Sequence, residues 1–417
     1  MIRTRTQTAT LVSVFALLAS AANASFTPLG VVDGLEINAI SADGVYAVGL
    51  YLDANGDYIA IRWDLTGDYP IEELGELPSG GIASEALAAS ADGSVIVGES
   101  LVEKPSDPSL DLTEAFIWEA GVMTGLGFLE VSSGNDQSVA TAISADGQVV
   151  AGRSHVSNPN GPGKVNEAFI WEAGVMTGLG FITDDGNDYA SEGLAISGDG
   201  FVVVGRAKNT DPNNPTKSVD EAFRWEAGVM TGLGFLQDDT SKVRSEATGV
   251  SYDGSTVIGT SNVDHPDTPQ SSVEQAFIWV DGVMTGLGFL SGSPGPYQSI
   301  ATGVSADGSV VVGESKVDGI LQPFIWTAES SEMRSLLEVL EDDLGVDLTG
   351  WTLDNPPVIS ADGNTIVALA TNPDGAVEAF VAYVPEPAGG VYAGIALLAW
   401  LGRRRSARSR RAAALAR

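Results

Sequence analysis

The sequence predicts an all-β fold, a seven-bladed β-propeller of four-stranded antiparallel blades. Three observations predict it. One phrase recurs seven times, each interval holds four strand-like segments, and the strand missing from the last copy stands at the start of the chain. The phrase is Ser-x-Asp-Gly followed by a β-branched run. Its aspartates are Asp43, Asp92, Asp146, Asp199, Asp253, Asp307 and Asp362, at intervals of 49, 54, 53, 54, 54 and 55 residues. Units repeated at such a period cannot bury a core alone and gain one by packing on their neighbours.

Four strands per interval are clearest in the copy that begins at Val139. VATAIS alternates up to Ser144, Ala-Asp-Gly turns the chain, and QVVAGRS returns with β-branched residues. After a polar stretch, EAFIWEA and VMTGLGFI form a second hairpin around Gly174. Glycine suits both tight turns because hairpin turns of this length need positive φ. Four antiparallel strands in roughly 50 residues make one propeller blade.

A ring must also pair its two ends. The closing strand of each copy carries Leu-Gly at Leu74, Leu126, Leu179, Leu233 and Leu287, with Leu336 in a degenerate sixth copy. The seventh copy has Glu378 to Val384 and no closing strand after it, while a matching FTPLG runs from Phe26 to Gly30. Pairing these two segments closes the ring and removes open sheet edges.

Strand order separates the two faces of the ring. Both tight turns of a blade fall on one face. The connections within a blade between its hairpins, and from blade to blade, fall on the other. The stretches that start at Leu101, His155, Ala207 and Ser261 read as long polar loops of this second kind, alongside blade-to-blade loops such as the one from Thr183. Loops on a rigid scaffold carry function more often than the scaffold does, which makes this the expected binding face.

The ends of the chain read as address labels. Residues 1–24 carry Arg3 and Arg5, an apolar stretch around Leu11 to Leu18, and Ala22-Asn23-Ala24 before Ser25, the pattern of a cleaved export signal. There is no cysteine, so a core and ring closure must hold residues 25–384 without disulfides. An apolar segment from Gly389 to Gly402 precedes RRRSARSRRAAALAR. At ~1.5 Å per residue it reaches only ~21 Å, a membrane anchor of marginal length whose arginines stay cytoplasmic. Arg3, Arg5 and the seven tail arginines account for nine of 21 basic residues, leaving 12 against 55 acids, or −43 for the exported body taken as residues 25–402. A body so acidic strongly disfavours nucleic acid and anionic lipid surfaces as partners.

Two resemblances sharpen this reading. Pro385-Glu386-Pro387, a short apolar segment and a terminal arginine cluster, behind an export signal, resemble the PEP-CTERM sorting signal over residues 385–417. The resemblance implies processing by an exosortase-type enzyme, a transient C-terminal anchor, and delivery to the cell surface or an extracellular polysaccharide matrix. Phrases such as AISADGQVVAG, EAFIWEAGVMTGLG and GWTLDNPPVISADG resemble the extracellular HAF repeats over most of residues 26–384. The histidine that names those repeats is replaced here, at Glu114, Glu167, Glu221 and Gln275, so no role of that histidine carries over.

Asp53, Asn55 and Asp57, and likewise Asp184, Asp185 and Asp188, have a spacing that can wrap a hard cation, but Asp, Asn and Gly also make turns for local reasons, the favoured reading. Trp63, Trp118, Trp171, Trp225, Trp279 and Trp326 recur once per blade, as do Met123, Met176, Met230 and Met284, and read as packing between blades. Glu119, Glu172 and Glu226 read as solvated residues of the tight-turn face. His155 and His265 fall in hairpin-connecting loops of different blades, and no catalytic motif, metal site or cofactor site is expected. Leu336, Leu337, Val339, Leu340 and Leu344 predict a short amphipathic helix ending near Gly345, with Trp351 buried against it. The expectation is an exported monomeric propeller that serves as a structural or binding module, associated with extracellular polysaccharide. The alternative is a carbohydrate-active hydrolase or lyase using carboxylates of the loop-rich face.

Overall fold

A computed structural model describes residues 25–384 except 33, 79–80, 104–110, 132–135, 183–188, 238–241, 292–296 and 354. The segments read as an export signal, as a sorting motif at Pro385, Glu386 and Pro387, and as an apolar anchor, together with Asp184, Asp185 and Asp188, lie outside the described residues. Among the described residues no helix is long and apolar enough to cross a membrane.

The chain forms seven four-stranded antiparallel sheets, each built from consecutive strands except the last. Blade three is typical, with strands Ser138–Ile143, Val149–Ser157, Lys164–Glu172 and Val175–Gly178. In blade seven the strands Val358–Ile359, Thr365–Thr371 and Val377–Tyr383 are completed by Ser25–Gly30. Ser25 pairs with Tyr383 and Phe26 with Ala382, as the sequence predicts for ring closure. Phe26 stacks on Phe380 at 4.7 Å between ring centroids and meets Trp351 edge-on at 5.1 Å, so the closing strand is also held by its side chains.

The first strands of neighbouring blades pack side by side around the axis. There the Ser-x-Asp-Gly turns act twice. Within blade three, Ser144 Oγ donates to Asp146 Oδ1 at 2.8 Å, and Val149 N–H donates to Ser144 Oγ at 3.0 Å, which fixes the turn. Between blades the same turns form a closed belt of backbone hydrogen bonds. The N–H of Asp43 donates to Ala91, Ala91 to Ala145, Ala145 to Gly198, Asp199 to Tyr252, Tyr252 to Ala306, Ala306 to Ala361, and Ala361 back to Ala42, at 2.7–3.1 Å.

The core lies between blades. Ala142, Val149 and Ala168 of blade three meet Ile196, Val203 and Phe223 of blade four, with Trp225 and Met230 packed against them. Phe116, Phe169, Phe223, Phe277, Phe324 and Phe380 are fully buried, each worth roughly 1.5–3 kcal/mol of apolar transfer. Trp63, Trp118 and Trp326 are buried, and Trp171 and Trp279 pack against the clusters around them, so the recurrent tryptophans are packing residues. The glycine within the second strand of blades one to six has a steric cause. A Cβ on Gly152 would sit 2.0 Å from the Val139 carbonyl oxygen, because the first strand bulges between Ala140 and Ala142.

Three expectations need correction. The stretches read as long polar loops are largely strand: in blade four Val202–Asp211 pairs with Asn214–Glu226 as far as Asp211 opposite Asn214. The outer part of the hairpin is exposed or half-buried on both faces, so both are polar and the alternation that marks a half-buried strand is absent. His155 and His265 accordingly lie in the strands Val149–Ser157 and Thr256–His265, not in loops. Leu336 is not a Leu-Gly strand residue. The fourth strand of blade six is only Met333–Ser335, and Leu336–Glu338 opens the expected helix, which continues as a π-turn over Val339–Asp343. Its Leu336, Val339 and Leu340 are buried beside Phe380, with Trp351 against them.

Candidate binding site on the hairpin face

The extended hairpins project from one face, and the ends of the innermost strands open beside them. There the residue five before each turn serine faces the residue after the strand-two glycine. The pairs are Glu36 with Leu50, Glu85 with Glu99, Val139 with Arg153, Glu192 with Arg206, and Glu246 with Thr260. Sequence variation at these two positions therefore writes a charge pattern around the axis.

From blade three to blade five that pattern is neutralised. Arg206 reaches Glu192 at 2.9 Å and Glu246 at 3.1 Å, Arg244 reaches Glu246 at 2.7 Å and Glu274 at 3.1 Å, and Arg153 lies 4.0 Å from Glu192. Lys208 pairs with Asp220 at 2.9 Å. Burial opposes the charge on Arg206, but Glu192 and Glu246 outweigh it and push the guanidinium up.

Blades one and two are different. Glu36, Glu85 and Glu99 line a cleft of about 370 Å³ together with Leu50, Tyr58, Leu101 and Thr113. None of the three carboxylates has an ion-pair partner within 4.0 Å among the described residues. Glu85 and Glu99 are directly opposed across the ladder, an arrangement that like charges disfavour. Partial burial pushes the Glu99 carboxyl up, and the Glu85 charge adds to it against the pull of Arg153. Burial likewise raises Glu85, opposed by a 3.0 Å hydrogen bond from Asn38 Nδ2 and reinforced by Glu36. Tyr58, 51% exposed, stands at the lip as an aromatic surface. The cleft can accept hydrogen bonds from hydroxyls, attract a cationic group, and hold a proton on one carboxyl beside an ionised one.

A larger cleft of about 540 Å³ lies between blades four and five, lined by Asn209, Pro212, Glu221, Phe235 and Met284. Its carboxylate is already engaged: Glu221 accepts from Gly234 N–H at 2.8 Å and from Asn209 Nδ2. Glu114 and Glu167 occupy the same repeat position and accept from Gly127 and Gly180 N–H at 3.1 and 3.0 Å. The acid at this repeat position is thus a latch on the fourth strand. Burial raises the carboxyls of Glu114 and Glu167, and those hydrogen bonds counter it.

The other sequence candidates have local explanations. Asp53 Oδ1 accepts from Asn55 and Asp57 N–H at 2.8 and 2.9 Å, and these donors hold its carboxyl below the usual range. It caps the turn at the tip of the blade-one hairpin. Among the described residues no three acidic or histidine side chains gather to hold a metal. Glu119 and Glu226 are exposed, and Glu226 pairs with Arg224 at 2.9 Å. His265 accepts at Nδ1 from Asp267 and Thr268 N–H.

A serine device escaped the sequence reading. Ser84, Ser138, Ser191, Ser245 and Ser299 lie on the inner strands, the last four at the first residue, and each staples its blade to the one before. Ser191 Oγ donates to the Gly180 carbonyl at 2.7 Å and accepts from Ala168 N–H at 2.9 Å. The signal was present as a serine six residues before each turn serine in five copies.

No protein-family model and no curated protein matches this chain. Among solved structures, an oligogalacturonate lyase from Vibrio parahaemolyticus is similar at 11% identity and TM-score 0.53, over 88% of this chain and 98% of that one. A puromycin hydrolase mutant is similar at 14% identity and TM-score 0.50, over 84% of this chain and 51% of that one. TolB from Acinetobacter baumannii gives 12% identity and TM-score 0.38, over 70% of this chain, which spans 63% of TolB. At such identities the likeness to the lyase and the hydrolase shows the fold, and with the strand order above it makes this chain a seven-bladed β-propeller.

Proposed function

We propose that this propeller is exported, sorted at Pro385-Glu386-Pro387 by an exosortase-type enzyme, and displayed at the cell surface or in an extracellular matrix as a polysaccharide-binding module. The observation that carries the binding half is the cleft of Glu36, Glu85 and Glu99, with Tyr58 at its lip, on the face where the hairpins project. Unpaired carboxylates beside an exposed aromatic suit a sugar polymer, whose hydroxyls donate and whose ring faces stack. The body's charge of −43 selects neutral or amine-bearing polymers over polyuronates.

A second reading, a carbohydrate-active hydrolase or lyase, is favoured by one feature. Glu85 and Glu99 face each other with raised carboxyls, so one can carry a proton while the other is ionised. One experiment separates the readings. Surface-released protein is purified, its C-terminus is read by mass spectrometry, and it is screened against neutral, amine-bearing and uronic polysaccharides for binding and for chain cleavage. Binding without cleavage, by a chain ending before Arg417, supports the module. Cleavage that Glu99→Gln abolishes supports the enzyme, and an intact C-terminus contradicts proteolytic sorting.

A further inference from the structure

Both ends of the ring leave from one place. Within the last blade, Thr365 and Tyr383 are paired at the tight-turn end, and Ser25 pairs with the same Tyr383. Val384 is still pinned there, its N–H donating to the Asn364 carbonyl at 2.8 Å beside the Ser360-Ala361-Asp362-Gly363 turn. The chain therefore departs toward the anchor from the tight-turn face, at the rim of blade seven. Four residues, Pro385, Glu386, Pro387 and Ala388, separate Val384 from the apolar segment that starts at Gly389. Fully extended they reach at most ~14 Å. A nine-residue strand such as Val149–Ser157 rises about 30 Å at ~3.3 Å per residue. Such a tether cannot bring the hairpin face to the bilayer.

We propose that the anchored protein sits with its tight-turn face on the bilayer surface and turns the hairpin face, with the Glu36, Glu85 and Glu99 cleft, away from it. This inference rests on the anchored, exported reading and adds the orientation. An independent feature of that face fits the occupant. The first residue of the fourth strand is an exposed valine in four successive blades: Val122 at 61%, Val175 at 63%, Val229 at 62% and Val283 at 63%. They stand across the ring from blade seven. The tether fixes one side of the face near the lipid, and the valine row gives the opposite side an apolar rim to rest in the interface. Beside the valines, Glu119, Glu172 and Glu226 stand opposite Val122, Val175 and Val229, so a zwitterionic surface suits the face better than an anionic one.

The chain has no cysteine, so a single introduced thiol is unambiguous. Val229→Cys on the tight-turn rim and Asn213→Cys at the hairpin tip belong to the same blade. Each variant of the full chain is labelled with a small fluorophore and reconstituted into phosphatidylcholine vesicles carrying a headgroup nitroxide. The expected result is flotation with the vesicles and at least twofold stronger quenching at Val229→Cys than at Asn213→Cys. Flotation with equal or reversed quenching overturns the orientation and leaves the anchor standing. A chain that does not float overturns the anchor and the orientation with it.

Discussion

At the residue scale the ring depends on side chains that each satisfy two backbone groups across a blade boundary. Ser191 is fully buried, and its hydroxyl is the partner of both the Gly180 carbonyl and the Ala168 N–H. Ser191→Ala leaves a buried N–H without an acceptor, so unfolding free energy should fall by roughly 2 kcal/mol, measured by denaturant titration. The same change at exposed Ser94 should cost less than ~0.5 kcal/mol. Glu99 has the opposite character. Its folded-state carboxyl is raised by burial and by Glu85, so between the ordinary value of ~4.3 and that raised value the folded state binds the extra proton. Stability from this group is present at low pH and is lost as pH rises through the window. Glu99→Gln does not titrate, and should melt higher than the parent at pH 7 and level with it below pH ~4. A parent that melts lower than Glu99→Gln at every pH would contradict this account.

At the scale of elements the decisive unit is Ser25–Gly30, which supplies the fourth strand of the last blade. Deleting Phe26 to Gly30 exposes the edge of Val377–Tyr383 and removes the Phe26 contacts to Phe380 and Trp351. The truncated protein should lose cooperativity and gain association, read by calorimetry and light scattering. A melt as sharp and as high as the parent's would refute closure by this strand. This element was legible in the sequence because its Leu-Gly register repeats elsewhere, and the Asp-Gly turns were legible because their geometry is local. The hairpin extensions were not, since Lys208, Asn209, Asp220 and their neighbours are polar on both faces, and ladder hydrogen bonds leave no mark on hydrophobic periodicity. The cleft was hidden for a related reason. Glu85 and Glu99 lie fourteen residues apart in a chain of 55 acids, and only strand register shows them opposed while Glu192 and Glu246 acquire arginines.

At the scale of the whole molecule, a closed belt of backbone hydrogen bonds and cores shared between blades make the ring a rigid platform, and an acidic body sets what can approach it. Rigid presentation keeps the entropy cost of binding low, because the cleft's walls are strands and not mobile loops. Long-range repulsion of polyanions weakens within ~10 Å at 0.1 M salt, so selection against uronic polymers should relax as salt rises while contact chemistry in the cleft persists. The central claim is that Glu36, Glu85 and Glu99 bind a neutral or amine-bearing polysaccharide on the hairpin face. The most direct test is titration calorimetry of the best-binding polymer against the parent, Glu85→Gln with Glu99→Gln, and Glu274→Gln, which alters a hairpin-face acid already engaged by Arg244. The account predicts at least a tenfold loss of affinity in the cleft variant and less than a twofold change in Glu274→Gln. Equal affinity of the parent and the cleft variant would contradict it.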